Sequence, residues 1–223
     1  MSVLPSWAVR LAGVAVVVGV TVWGPAVAGA APDQGAGSGS STTADGMSGD
    51  PAAAAPYWQQ QSLADNCGAM SVADVVGEIT GDAPTEAQIL AVAEQTDSEI
   101  NPWTKIYVPD TGGISVGDLP VLLKHYGIAA ETADGGPGGL AGLEQNLGSG
   151  RKVIAYVNSA LLWNTADQRT DADHFVVVTG VDANQNVVHL NDPGADNADE
   201  QIAAPIFMQA WHTGEYDSVV TAA

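Results

Sequence analysis

The chain has 223 residues and carries 26 acidic against 6 basic side chains, for a net charge of −20. The basic residues are scattered, only Arg151 and Lys152 being adjacent, so no patch gathers to neutralise phosphates or anionic headgroups, which argues against nucleic-acid partners and electrostatic membrane binding. The acidity reads as a solubilising surface outside the cell.

In chain order, one basic residue precedes an uncharged apolar run from Leu11 to Trp23. Gly24-Pro25 breaks this run ahead of the small residues Ala26 to Ala30. That order is a secretory signal peptide over residues 1–30, which places the chain in the cell envelope or medium without stable membrane association after cleavage. The alternative is a retained anchor, because a span takes about 20 apolar residues. Residues 31–56, rich in Ala, Gly, Ser, Thr and Pro without apolar periodicity, read as a disordered linker. Aromatic and β-branched residues return at Tyr57, and 57–223 is long enough for one domain with its own core. No internal repeat is present.

Cys67 is the only cysteine and so has no intramolecular disulfide partner. In an exported chain such a thiol is a buried small side chain, an intermolecular bridge or a nucleophile. Apolar residues at 69, 72, 73, 76 and 79 predict an amphipathic helix that starts at Cys67 and stops near Gly81, with Asp65-Asn66 as capping residues. A sulfur in the first turn of a helix faces unpaired amides and the positive end of the dipole, which favour a thiolate. Gly68 beside it would let a substrate approach the backbone.

A helix is predicted from about Pro84 to Thr96, then a loop with Trp103 and Tyr107, then a helix opened by Ser115-x-x-Asp118 and ended at Gly127. A strand from Ile128 to Thr132, a short helix near Leu140 to Leu147 and a strand from Lys152 to Asn158 follow. The segment from Asn158 to Asp173, with Leu161, Leu162 and Trp163, is either one wall of a cleft or a surface loop whose tryptophan plugs the core.

The β-branched runs His174 to Val181 and Val187 to Asp192 flank a polar turn and predict an antiparallel hairpin. If Val181 faces Val187, His174 faces Gly194, and a bulge would bring His174 opposite Asp192. Either register leaves the two side chains opposite or diagonal on one face, so the carboxylate can orient the imidazole. Asp182 to Asn186 begins like a calcium loop but has Val187 where that loop needs glycine, so it reads as a turn. His125, His189 and His212 read as structural, and no metal-spaced cluster or cofactor motif is present. Helices mainly first and strands mainly last indicate an α+β domain with helices on an antiparallel sheet.

Gln61 ahead of Asn66-Cys67-Gly68-Ala69, then His174-Phe175-Val176-Val177-Val178 and the hairpin ending in Asn191-Asp192-Pro193, resemble the bacteriocin-processing double-glycine leader peptidases and their stand-alone relatives. These form family thirty-nine of the papain-like cysteine peptidases, and the likeness covers most of Tyr57 to Thr221. It implies a papain-like fold with Cys67 as nucleophile, His174 as base and then acid, Asp192 as the orienting carboxylate and Gln61 as an oxyanion donor. Gln59 and Gln60 compete with Gln61 for the last role. A GxxxxGK[ST] loop is missing, so leader cleavage at a double glycine is not implied. The resulting expectation is hydrolysis of a peptide or amide bond in a peptide or protein substrate, with no cofactor. Acyl transfer by the same three groups, a cell-wall amide hydrolase and an inactive exported binding module are the alternatives.

Overall fold

The computed structural model describes residues 46–133 and 138–223. The expected signal peptide, residues 1–30, and the first part of the expected linker, residues 31–45, lie outside the described residues.

The remainder of the expected linker is folded. Strand β1 (Met47–Gly49) pairs antiparallel with Asp182, Val181 and Gly180, and helix α1 (Pro51–Ala54) follows. Composition misled here because the alanine run carries its own start signal: Asp50 accepts from the Ala53 amide at 3.0 Å and Pro51 occupies the first turn. Pro51 and Ala54 are buried, so the domain begins before Tyr57.

Helix α2 (Cys67–Thr80) has the predicted limits and ends at Gly81, whose φ of 79° is left-handed. Every residue from Cys67 to Gly77 is buried, because the helix is covered on one side by the sheet and on the other by α3 (Glu86–Gln95) and α4 (Leu119–His125). Thr85 and Gln88 form a reciprocal capping box at the start of α3. Ser115 makes no capping bond; Asp118 instead binds the Ser98 hydroxyl at 2.7 Å and the Glu99 amide at 2.8 Å, holding the preceding loop. Tyr107 in that loop is buried, whereas Trp103 is 94% exposed.

The other strands are β2 (Ala130–Ala133), β3 (Val153–Val157), β4 (His174–Asp182), β5 (Val187–Asn191), β6 (Glu200–Ala203) and β7 (Ser218–Thr221). They form one antiparallel sheet in the order β2-β7-β3-β4-β5-β6, and β1 takes up the end of β4 that β3 leaves. Alternation along β4 sends Phe175 and Val177 into the layer of α2, α3 and α4. Val176 and Val178 face the opposite layer, built on α5 (Leu140–Gly148), α6 (Ser159–Leu162) and α7 (Ala204–His212). Phe207 and Trp211 of α7 are fully buried there, each worth roughly 2–3 kcal/mol of apolar burial. The fold is α+β on an antiparallel sheet, as the order of elements implied; helices cover both of its faces.

The hairpin register differs by one residue from the simplest expectation near its turn, where Val181 faces Val188. A bulge between Val178 and Gly180 absorbs the difference, and beyond it Val178 faces Leu190 and Val177 faces Asn191. Continued, this register sets Asp192 diagonally from His174.

Candidate active site

Cys67 opens α2 and is 7% exposed. The residues expected to cap the helix are used otherwise. Asn66 makes no capping bond and donates to Glu86 at 2.6 Å, and Asp65 accepts from the Tyr107 hydroxyl at 2.8 Å. The first amides of a helix have no intrahelical acceptor, so without a side-chain cap the Cys67 N–H stays available as a donor. Gly68 plays a different part from the one its smallness suggested. A β-carbon there would sit 3.2 Å from Leu119 and Phe175 and 3.4 Å from Ile114, so the missing side chain lets core groups close over the helix rather than admitting a substrate.

His174 and Asp192 meet as the hairpin pattern required. His174 Nε2–H donates to Asp192 Oδ1 at 2.7 Å, and the Cys67 side chain hydrogen-bonds the same ring. With Nε2 committed to the carboxylate, Nδ1 is the nitrogen left for the sulfur. Asp192 is fully buried and each of its oxygens has a donor: Oδ1 also takes the Gly194 amide at 2.6 Å and Oδ2 takes the Trp163 indole N–H at 2.9 Å. Its carbonyl accepts from the Trp58 indole at 2.6 Å.

Trp163 lies over the His174 ring at 5.0 Å between centroids and stays 39% exposed, so it is no core plug. It covers the imidazole–carboxylate contact. Gly194 makes this approach possible, since a β-carbon there would fall 2.7 Å from the indole. The Asn158 side chain caps α6 through the Leu161 amide and donates to the Arg169 and Asp171 carbonyls, which fixes the segment carrying Trp163.

The charges follow from these contacts. Burial works to lower the proton affinity of His174, but the bonds and charges of Asp192 and Cys67 outweigh it and push the pKa up to about 10. Burial likewise tends to raise Asp192, yet the His174 ring, the Gly194 amide and the Trp163 indole together hold its carboxyl below the ordinary range. Imidazolium facing carboxylate and sulfur is the favoured state.

On the opposite flank, the three consecutive glutamines diverge. Gln59 donates to the Pro84 carbonyl and Gln60 to the Ala195 carbonyl, each at 3.0 Å. The Gln61 amide N–H binds the Pro193 carbonyl at 2.9 Å, next to Asp192, and its side-chain Nε2 donates to the Leu63 carbonyl at 2.7 Å. One of the two Nε2 hydrogens is thereby used and the other remains. Glu86 pins this segment: it accepts from the Ser62 amide and hydroxyl, each at 2.7 Å, and from Asn66 at 2.6 Å. Burial opposes ionisation of Glu86, but these donors prevail and lower its pKa.

Behind the site, Asn191 donates to Asp74 of α2 at 2.9 Å and to the Ala54 carbonyl at 3.1 Å, tying the cysteine helix to the strand that leads to Asp192. Burial, with the nearby Glu78, pushes Asp74 well above the usual carboxylate range. Trp58, Glu86 and Asp74 escaped sequence reasoning. Only Glu86 left a local trace, as an acidic residue in the first turn of a capped helix.

The remaining candidates are structural. Asp182 accepts from the Asn184 and Gln185 amides, both at 2.9 Å, and closes the hairpin as a turn residue. His189 pairs with Asp199 at 2.7 Å, and His125 and His212 pack against Tyr126 and Tyr216.

Comparison with known proteins bears on the family and the fold. The model of the Peptidase_C39 like family matches residues 52–218. Uncharacterized proteins of Mycobacterium bovis and Mycobacterium tuberculosis are 45% identical over 197 residues, covering 78% of this chain and 84% of theirs. Among solved structures, a C39-like peptidase from Bacillus anthracis superposes with a TM-score of 0.58 at 20% identity, over 77% of this chain and 96% of that one. The peptidase domain of Streptococcus ComA gives a TM-score of 0.51 at 13% identity, over 75% and 99%. At such identities these two likenesses concern the fold.

Proposed function

The chain belongs to the Peptidase_C39 like family, and from that premise we propose that it is an exported cysteine peptidase in which Cys67, His174 and Asp192 react as a unit. The observation that carries this reading is the buried 2.7 Å bond between His174 and Asp192 on a ring that also bonds the Cys67 side chain. Export rests on the signal-like residues 1–30.

In this reading the Cys67 thiolate attacks the acyl carbon of a peptide bond, and the carbonyl π electrons move to oxygen. The Cys67 backbone N–H and the second hydrogen of Gln61 Nε2 stabilise that oxyanion. Gln61 takes this role over Gln59 and Gln60 because its backbone N–H binds the Pro193 carbonyl next to Asp192, whereas the Gln59 side chain turns to Pro84 and the Gln60 side chain to Ala195 and Asp196. His174 then gives its proton to the departing amine as the C–N bond breaks, leaving a thioester. A water loses a proton to the neutral ring, adds to the thioester carbon, and the C–S bond breaks to free a carboxylic acid and the thiolate. Asp192 keeps the imidazole in the tautomer that faces the sulfur through Nδ1. The protonated imidazole that this proton transfer requires is the form the site favours.

Incubating the purified protein with a peptide library, with and without a primary amine, tests the proposal by mass spectrometry. Products ending in a free carboxylate, absent with the Cys67→Ala protein, are expected. Products formed only when amine is present would replace hydrolysis by acyl transfer, and no turnover in any arm would leave a binding module.

A further inference from the structure

Glu200 is a titratable group beside the site that the mechanism above does not use. It opens β6, where it pairs with Leu190 of β5. Asp192 lies two residues beyond Leu190, and side chains two apart on a strand share a face, so the Glu200 carboxyl projects diagonally toward Asp192. Its Oε2 is shut off from solvent and has no hydrogen-bond donor, although the residue as a whole is only half-buried. Two carboxyl groups that project toward each other away from water cannot both be ionised without cost, and a proton between them removes the repulsion and supplies the missing donor.

We propose that Glu200 is a positioning residue for the Cys67, His174 and Asp192 group. A proton shared between the Glu200 and Asp192 carboxyls ties β6 to the site, and losing that proton tightens the electrostatic hold on the His174 ring. The inference rests on the peptidase reading for its consequence, not for the proton itself.

The charged surroundings support it. Burial, then the charge and hydrogen bond of Asp192, push Glu200 up to about 7, while His174 pulls the other way. His189, on the neighbouring strand, alternates to the opposite face and is paired with Asp199. On α7, which packs on both strands, the only titratable residue is His212, and it packs against Tyr216. Trp163 covers Asp192 from α6 with a neutral donor. The balance is therefore set among Glu200, Asp192 and His174. When Glu200 is protonated, its donor shares the Asp192 charge and the imidazolium releases its proton more readily to a leaving amine. When Glu200 ionises, a second negative charge holds the imidazolium and slows that transfer.

Titrating the carboxyl carbons of the full-length protein, labelled with 13C-glutamate, tests the proton directly, the Glu200 signal being the one lost in Glu200→Gln. An inflection between pH 6 and 8 is expected, and one in the ordinary carboxylate range near pH 4 overturns the proposal. The functional half is read from kcat against pH on a cleaved peptide. The wild type should lose roughly three- to tenfold in kcat as Glu200 ionises. Glu200→Gln, a permanent neutral donor, should keep the higher value across the same window with KM unchanged. A step that persists in Glu200→Gln refutes the coupling. Absence of any turnover would count against the peptidase reading and leave the carbon titration decisive for Glu200.

Discussion

The two flanks of Cys67 are built in opposite ways. On one side, His174 and Asp192 sit at the ends of paired strands and are fixed several times over, by a 2.7 Å ion pair, the Gly194 amide and the Trp163 indole. On the other, Gln61 lies on an irregular segment held to the helix layer chiefly by one carboxylate, Glu86, through three short bonds, with Gln59 on Pro84 and Asp65 on Tyr107 beside it. A base and its orienting acid tolerate little displacement, so the sheet supplies them; a group that must meet an incoming carbonyl can ride on a loop. The difference predicts how each flank fails.

The largest effect belongs to the nucleophile and its base. Cys67→Ala and His174→Ala should each lower kcat/KM by about 10⁴-fold or more, and the double variant should be no worse than either, because the groups act as a unit. Asp192→Asn follows, with a loss of roughly 10²- to 10⁴-fold in kcat, since the amide can present its N–H to His174 and spoil the tautomer. Equal sensitivity to Glu86→Ala would erase the contrast between the flanks. That variant should instead cost about tenfold in kcat, with the circular-dichroism spectrum preserved, as Gln61 drifts from its position.

Smaller still is Trp163→Phe, which keeps a ring over His174 and leaves Asp192 Oδ2 without its donor. Thermal unfolding should show about 1–2 kcal/mol of lost stability. Stability should also depend on pH in a way that reports the rigid flank. The His174 pKa is raised to about 10, so its stabilising contribution is complete below the unfolded value of about 6.5 and disappears as pH climbs through about 10. Glu200 is raised to about 7, so its contribution is complete below about 4.3 and is lost as pH rises through about 7. Both push Tm down on the alkaline side, whereas the lowered Asp192 withdraws its contribution only as pH falls below the ordinary carboxylate range. A Tm that rises from pH 6.5 to pH 10 would contradict this assignment of charges.

The rigid flank was largely legible in the sequence and the loop flank was not. Helix α2 announces itself by apolar spacing, and the His174 to Asp192 hairpin by two β-branched runs around a turn, because both are local patterns. The bulge at Thr179 leaves no such mark, yet the even spacing of the two residues survived it. The C-terminal part went unread after Gly194. Strand β6 is four residues with alternate residues exposed, and β7, equally short, inserts between β2 and β3, so its place is set by distant partners. Glu200 lies on that unread strand, and nothing in its neighbours along the chain points to Asp192. Asp65 and Asn66 look like caps by local rule, but Tyr107 and Glu86 from other elements claim them. Asp50-Pro51 shows the reverse failure, a real cap hidden in a composition that reads as linker.

The claim beneath all of this is that sulfur, imidazole and carboxylate form one electrostatically coupled group. Nitrogen-15 spectra of the His174 ring, followed against pH in the wild type and in Cys67→Ala, test it most directly. A ring still doubly protonated at pH 8, whose titration moves to lower pH when the sulfur is removed, is the predicted result. A ring already neutral by pH 7.5, with a titration indifferent to Cys67, would contradict it.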